Sequence, residues 1–248
     1  MIPRATYRMQ LHGGFGFKEA RGLVPYLAEL GVSHVYCSPY LKARPGSLHG
    51  YDIIDHNGLN PEIGSREEFD AFVAALKAHG MGQILDIVPN HMAVMGADNA
   101  WWLDLLENGP ASRYADFFDI DWDPVNPALK GKVLVPVLGD HYGVSLERGD
   151  LRLAFDPAAG AFSLWYHEHR FPVDPCEYPS PLDRAATAVL TASVPEAVRE
   201  EFASLITGFR NLPAHADPDP DRRADRNRDK EFRKRHLAQL VADSAPLA

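Results

Sequence analysis

Cysteine is nearly missing from this chain. Its 248 residues hold two, Cys37 and Cys176, too few and too far apart for a disulfide framework or a cysteine-ligated zinc. Cys37 falls in an apolar run and reads as a small buried filler. Positive charge is not in excess either: 34 acidic against 25 basic residues give a formal net charge of −9. That balance argues against nucleic acid or an anionic membrane as the main partner. No apolar run has the length of a membrane span. No basic stretch followed by an apolar one opens the chain in the secretory manner. The expectation is a protein of the reducing cytoplasm. Internal repeats are absent too. What is present is an ordinary globular composition, 46% hydrophobic, sufficient for a sizeable core.

The most informative stretch is Gln83-Ile84-Leu85-Asp86-Ile87-Val88-Pro89-Asn90-His91-Met92. Its apolar start reads as a parallel strand over 83–88, buried on both faces, with Asp86 near its middle. Pro89 cannot donate to a central ladder and should stop it. Asn90 and His91 then stand just past the strand's C-terminal end, where a (β/α)8 barrel keeps its chemistry. A buried Asp on such a strand is costly unless paired. On this stretch alone a salt-bridged structural Asp beside a loop Asn-His is the plainer reading. The preceding residues add to it. A second strand-like run, Ser33-His34-Val35-Tyr36-Cys37-Ser38-Pro39, is followed by a turn-rich loop, Lys42-Ala43-Arg44-Pro45-Gly46-Ser47, and by His49-Gly50-Tyr51-Asp52. Two strand ends thus deliver Tyr51, Asp52, Asn90 and His91 to one rim. An aromatic face beside carboxylates and an imidazole suits a sugar, whose C–H face stacks while its hydroxyls bond. The alternative is that Tyr51 and Asp52 only anchor the loop.

The rest of the pattern is read in order. Residues 6–11 alternate as a strand, and 17–30 have helical spacing, with Ala20, Leu23, Val24, Leu27 and Leu30 on one face and Gly31 at C′. Ser65 and Glu68 form a capping box before a helix that Gly80 ends. The order strand, helix, strand, loop, helix, strand is a βαβαβ opening with right-handed crossovers. Beyond Met92 the pattern changes. A short helix is expected around Trp101-Trp102-Leu103, a hairpin across 151–166, and a helix capped by Ser193 and Glu196 running to about Arg210. A last charged helix over 222–241 pairs Glu231 with Arg235 and reads as a solvated face.

These residues resemble a known family. Asp86…Asn90-His91 resembles the first sequence region of the α-amylase superfamily, glycoside hydrolase family 13. A tighter match is to the malto-oligosyltrehalose synthases within it. It is carried by Thr6-Tyr7-Arg8-Met9-Gln10-Leu11, Gly31-Val32-Ser33-His34, Ala43-Arg44-Pro45-Gly46-Ser47, His49-Gly50-Tyr51-Asp52 and Asp86-Ile87-Val88-Pro89-Asn90-His91-Met92. The stretch 99–102, Phe117-Phe118-Asp119-Ile120-Asp121-Trp122, Val135-Pro136-Val137-Leu138-Gly139 and Arg170-Phe171-Pro172 extend it. It is strong to about Tyr178 and thinner through the last helix.

The resemblance implies an α/β fold: the N-terminal part of a (β/α)8 TIM barrel in 1–92, about three strands, then an inserted α+β subdomain in 93–248. It implies an intramolecular transglucosylase that moves the reducing-end linkage of a malto-oligosaccharide from α-1,4 to α,α-1,1, in trehalose biosynthesis. His91 would contact the glucosyl unit at the cleavage subsite, Tyr51 would stack beneath it, and Asp52 would bond its hydroxyls. Asp86 would hold barrel neighbours through an ion pair, and Asn90 would either support the residues that touch substrate or anchor the loop. No redox or nucleotide cofactor is implied. In calcium-dependent amylases the residue matching Asn90 is a metal ligand, but no further oxygen ligands can be named here, so no metal is carried over.

One departure stands out. Retaining glycoside chemistry needs two carboxylates about 5–5.5 Å apart, and the family draws them from the fourth and fifth barrel strands. No strand-borne Arg-x-Asp follows the inserted region. The nucleophile and acid/base are therefore expected beyond residue 248, in a missing C-terminal part of the same enzyme, and this chain is expected to be inactive alone. Three other readings stay open. One is a different hydrolase or transglycosylase of the superfamily, and another is a non-catalytic piece that binds glucan weakly or does nothing alone. The third is a metal hydrolase built on His167-Glu168-His169, whose spacing does not put both histidines on one helical face.

Overall fold

The computed structural model describes residues 2–191, 194–217 and 219–244. Contacts divide the chain into two compact units, Met1–Asn99 and Ala100–Ala248. Among the described residues no helix is long and apolar enough to cross a membrane.

The first unit is the barrel opening. Strand β1 (Thr6–Met9) leads to helix α1 (Phe17–Glu29) and strand β2 (His34–Cys37). An excursion holds β3 (Leu41–Ala43) and β4 (Ile53–Leu59), and helix α2 (Arg66–Ala78) returns the chain to β5 (Gly82–Leu85). The sheet order is β1-β2-β5, parallel throughout, with Thr6 opposite His34 and His34 opposite Gly82. The three expected barrel strands are therefore present, adjacent and parallel, each shorter than its apolar run. Met9, Val35 and Cys37 pack with Phe17, Ala20, Val24 and Leu27 of α1 and with Phe72 and Leu76 of α2 to form the core. Cys37 is the filler expected, and burial pushes its thiol pKa up. The Ser65 box forms: Ser65 Oγ accepts from Glu68 N–H at 3.3 Å, and the Glu68 carboxylate accepts from Ser65 N–H at 2.9 Å.

Several expectations need correction. The strand near Asp86 ends at Leu85, so Asp86 lies just past it rather than near its middle. That strand is half-buried, not covered on both faces, because it is an edge with β2 as its one partner in the sheet. Leu23 and Leu30 of the first helical stripe are exposed. The loop after β2 is not all turn: β3 and β4 pair antiparallel within it, with irregular register. Three residues interrupted by register shifts leave too little periodicity to read as a strand.

The second unit is built differently. Helix α3 (Ala100–Asn108) and a short α4 (Tyr142–Glu147) precede a three-stranded antiparallel meander, β6 (Leu151–Asp156), β7 (Ala161–Tyr166) and β8 (His169–Pro172). The expected hairpin is β6–β7, and β8 adds a strand that the turn signals did not announce. His167 sits in the tight turn between β7 and β8 at φ 51°. Three helices follow: α5 (Pro179–Thr191), α6 (Glu196–Arg210) and α7 (Pro220–Asp243). Ser193, expected as a cap, lies outside the described residues, and α6 begins after Pro195 with no side-chain cap. Phe162, Tyr178, Phe202, Phe209, Leu237 and Leu240 fill the core. Gly160, at φ 59°, brings the hairpin turn against α7; a Cβ there would lie 1.9 Å from the Lys234 carbonyl oxygen.

Helix α7 is not the solvated face its charge suggests. Arg226 is fully buried and Lys230 is 3% exposed. Arg226 Nη2 donates to Asp174 Oδ1 at 2.6 Å, and Lys230 Nζ donates to Glu107 Oε1 at 2.9 Å. Glu231 pairs with Lys230 and Lys234 rather than with Arg235. Sequence periodicity treats every charge as outward, whereas buried charges are found where partners on other elements meet them.

Candidate functional site

Strand parity builds the site. Arg8, Tyr36 and Ile84 stand level across β1, β2 and β5. Side chains alternate along a strand, so these three share the face turned away from Met9, Cys37 and the two helices. Asp86 is two residues beyond Ile84, and its N–H still donates to the Cys37 carbonyl at 3.0 Å, so the ladder carries it onto the same face.

Three groups converge on one Asp86 oxygen. Arg8 Nη1 donates to Oδ2 at 2.9 Å, the Tyr51 hydroxyl at 2.5 Å and the Tyr36 hydroxyl at 3.2 Å. Arg8 Nη2 also donates to the Tyr51 hydroxyl at 2.9 Å, and the guanidinium lies 4.4 Å from the Tyr36 ring centre. The Tyr51 hydroxyl holds the Asp86 carboxyl below its usual range; burial opposes this, and Arg8 and Tyr36 reinforce it. The same bond raises the Tyr51 phenol. Asp86 is thus an ionised hub at the C-terminal end of the sheet.

The loop bearing Tyr51 is pinned from several sides. Gln10, at the end of β1, donates through Nε2 to the carbonyls of Leu48 and His49 at 3.1 and 3.2 Å. Gly50 has φ 77°, and a Cβ there would lie 2.5 Å from the Pro39 carbonyl oxygen, so only glycine fits. Its N–H donates to Ser47 Oγ at 3.1 Å, and Ser47 Oγ in turn donates to Asp52 Oδ1. His91 Nε2 is 3.1 Å from the Tyr51 carbonyl oxygen, and its Nδ1 is 3.2 Å from Asn90 Oδ1.

Tyr51, Asp86, Asn90 and His91 are therefore brought to one end of the sheet. Asp52 is turned into its own loop, toward Ser47 and His49. Sequence reading did not name Arg8, Tyr36 or Gln10 as parts of this site. The signal was available: Arg8 and Asp86 have matching parity once the parallel register is fixed. The Asn90 oxygen faces His91, and among the described residues no three His, Cys, Asp or Glu side chains converge as a metal site.

The hub stabilises the fold modestly, because Arg8 and Asp86 keep 34% and 18% of their side-chain surface in water. Tyr51→Phe is expected to cost about 1 kcal/mol and Asp86→Ala about 1–2 kcal/mol, the partly exposed Arg8 being rehydrated. Urea denaturation followed by far-UV circular dichroism measures both. A cost above about 4 kcal/mol for either would mean that the network holds the sheet together rather than dressing its rim.

Comparison with known proteins agrees with this architecture. The alpha-amylase catalytic-domain family matches residues 21–154, more than half of the chain. A putative maltooligosyl trehalose synthase of Mycobacterium tuberculosis is 42% identical over 170 residues, covering 63% of this chain and 22% of that protein. An intracellular maltogenic amylase of Bacillus subtilis is 39% identical over 100 residues, 40% of this chain and 16% of the amylase. Among solved structures, maltooligosyltrehalose synthase from Arthrobacter ramosus aligns with TM-score 0.59 and 40% identity, over 69% of this chain and 21% of its own. The chain thus spans about a fifth of the length of the synthases it matches. With three parallel strands, their crossover helices and the family match in agreement, the chain belongs to the alpha-amylase catalytic-domain family.

Proposed function

We propose that this chain supplies the sugar-holding rim of an α-glucan-acting intramolecular transglucosylase, an isomerase that converts the reducing-end α-1,4 linkage of malto-oligosaccharides to α,α-1,1. The observation that carries the reading is the Arg8–Asp86–Tyr51 hub beside His91 at the C-terminal end of three parallel strands. In a barrel that end is where substrate sits. Asp86, ionised and three times bonded, fixes the Tyr51 ring as a platform for a glucosyl face. His91 is exposed at the edge, and a sugar hydroxyl would take the place of one of its two ring-nitrogen contacts, the Tyr51 carbonyl or Asn90 Oδ1. Asn90 sets the His91 ring, and Asp52 holds the loop that carries Tyr51 through Ser47 and His49.

Residues 93–248 are read as a subdomain inserted after the third barrel strand. No residue of 1–248 is assigned as nucleophile or acid/base; the family draws them from its fourth and fifth barrel strands. The setting is the cytoplasm. The match to synthases runs over 170 residues and that to the maltogenic amylase over 100, which favours the mutase over a hydrolase. The rim alone suits either.

The test is incubation of the pure chain with maltopentaose. No non-reducing product is expected, because positioning groups without a nucleophile cannot form the glycosyl intermediate. Binding is expected to be weak, and His91→Ala or Tyr51→Ala should weaken it about tenfold. Clear turnover, lost on His91→Ala, would place a carboxylate pair within these residues and overturn the division of labour.

A further inference from the structure

The second unit holds a polar cleft of about 380 Å³ where the start of α3, the turn at 113–114 and the middle of α7 meet. It shares no residue with the rim around Asp86. Asp104, Arg113, Tyr114, Asn227, Lys230 and Glu231 line it. The volume is at the small end of the ligand-site range of about 300–1,000 Å³.

What marks this cleft is its spare bonding capacity. Arg113 makes no hydrogen bond or ion pair with any described residue, and the Tyr114 hydroxyl likewise has no partner. Asn227 spends its amide N–H on the Ala111 carbonyl at 2.9 Å and leaves its oxygen unbonded. Glu231 engages lysines through Oε1, at 2.5 Å to Lys230 Nζ, and leaves Oε2. Two donors and two acceptors thus remain unused in one small cleft. Lys230 and Asp104, by contrast, are already satisfied, by Glu107 and Glu231 and by Ser112 and Asn108.

An aromatic face completes the lining. The Tyr114 ring stacks on Trp101, with centres 5.0 Å apart and planes 8° from parallel, and Phe117 meets both edge-on. The ring is held in one plane before any ligand arrives, which lowers the ordering cost of binding. Mixed donors and acceptors around a fixed ring match a hydroxylated neutral ligand, since each hydroxyl both donates and accepts. An anion would find one uncompensated cation, Arg113, and would face the Glu231 and Asp104 carboxylates.

We propose that this cleft binds a glucosyl unit of an α-glucan, a second sugar site carried by the second unit. The proposal rests on the glucan reading of the family and extends it to residues the rim does not use.

The experiment titrates the full chain with maltotriose by calorimetry, beside the Arg113→Ala/Tyr114→Phe double variant and the His91→Ala variant. Unchanged far-UV circular dichroism confirms that each folds; Arg113 is exposed, and Tyr114→Phe keeps the ring stack. Two sites are expected in the parent, one of which weakens about tenfold or more in the double variant and the other in His91→Ala. A single site lost with His91→Ala and untouched by the double variant overturns the second site and leaves the rim reading standing. A single site lost only in the double variant does the reverse. Inorganic phosphate binding that needs Arg113, with no maltotriose bound there, also overturns the proposal.

Discussion

Arg226→Ala is expected to destabilise the second unit by about 3–5 kcal/mol, enough to unfold much of it at room temperature. The guanidinium is fully buried and has Asp174 as its ionic partner, at 2.6 Å. It also donates to the Pro213 carbonyl at 2.9 Å and lies against Cys176. Removing it leaves a half-buried carboxylate, 21% exposed, whose remaining partners are His215 Nδ1, at 3.0 Å, and the Cys176 N–H, at 2.8 Å. Burial pushes the Asp174 carboxyl up, but His215 and Arg226 outweigh it and hold it far below the ordinary carboxylate range. A depressed carboxyl contributes stability that is complete above its unfolded pKa of about 3.9 and lost as pH falls through the folded value. The parent should therefore keep this contribution from pH 7 to about 5 and lose it progressively below about pH 4. Asp174→Asn should be less stable at pH 7 and flatter in acid. All four tryptophans, at 101, 102, 122 and 165, belong to the second unit, so indole fluorescence in urea reads its unfolding alone. Replacing both partners, Asp174→Leu with Arg226→Met, should recover most of the loss. A cost below about 1 kcal/mol for Arg226→Ala would show that Arg226 is not buried in solution.

That ion pair also marks where sequence reading stops. The barrel opening was legible because its strands are apolar runs, its helices carry 3.6-residue stripes, and glycines with positive φ end both helices, at Gly31 and Gly80. His91 and Tyr51 could be placed on one rim because barrel geometry puts successive strand ends together, and their 3.1 Å approach follows from it. Arg8 was harder. It becomes visible only when register aligns it with Tyr36 and Ile84, and register is a tertiary fact. The second unit offered less. Glu107 and Lys230 are 123 residues apart, and no local pattern distinguishes a lysine that will be buried from its solvated neighbours on the same helix. The meander's third strand was hidden for another reason: four half-buried residues after a two-residue turn carry no clear alternation.

Expressed alone, the chain is expected to self-associate through its first unit. The sheet has β2 in the middle and β1 and β5 as edges, so each edge strand has one paired side within it. Unpaired edges template pairing with another chain unless charge, proline or a covering element blunts them. β5, Gly-Gln-Ile-Leu, carries no charge or proline to do so. Beside these edges the apolar surface is open: Ile87 is 64% exposed and Tyr7 45%. A closed barrel of this family would bury both edges in neighbouring strands. At about 10–100 µM, sedimentation velocity should find most of the chain as dimers or larger species. Ile87→Lys should shift the distribution toward monomer without changing far-UV circular dichroism, since it charges the edge and touches no core residue. Co-expression with a polypeptide carrying the remaining barrel strands should remove self-association more completely than the substitution does. A monodisperse monomer at these concentrations, unfolding cooperatively at an ordinary mesophilic temperature, would mean instead that both edges are already covered within the chain.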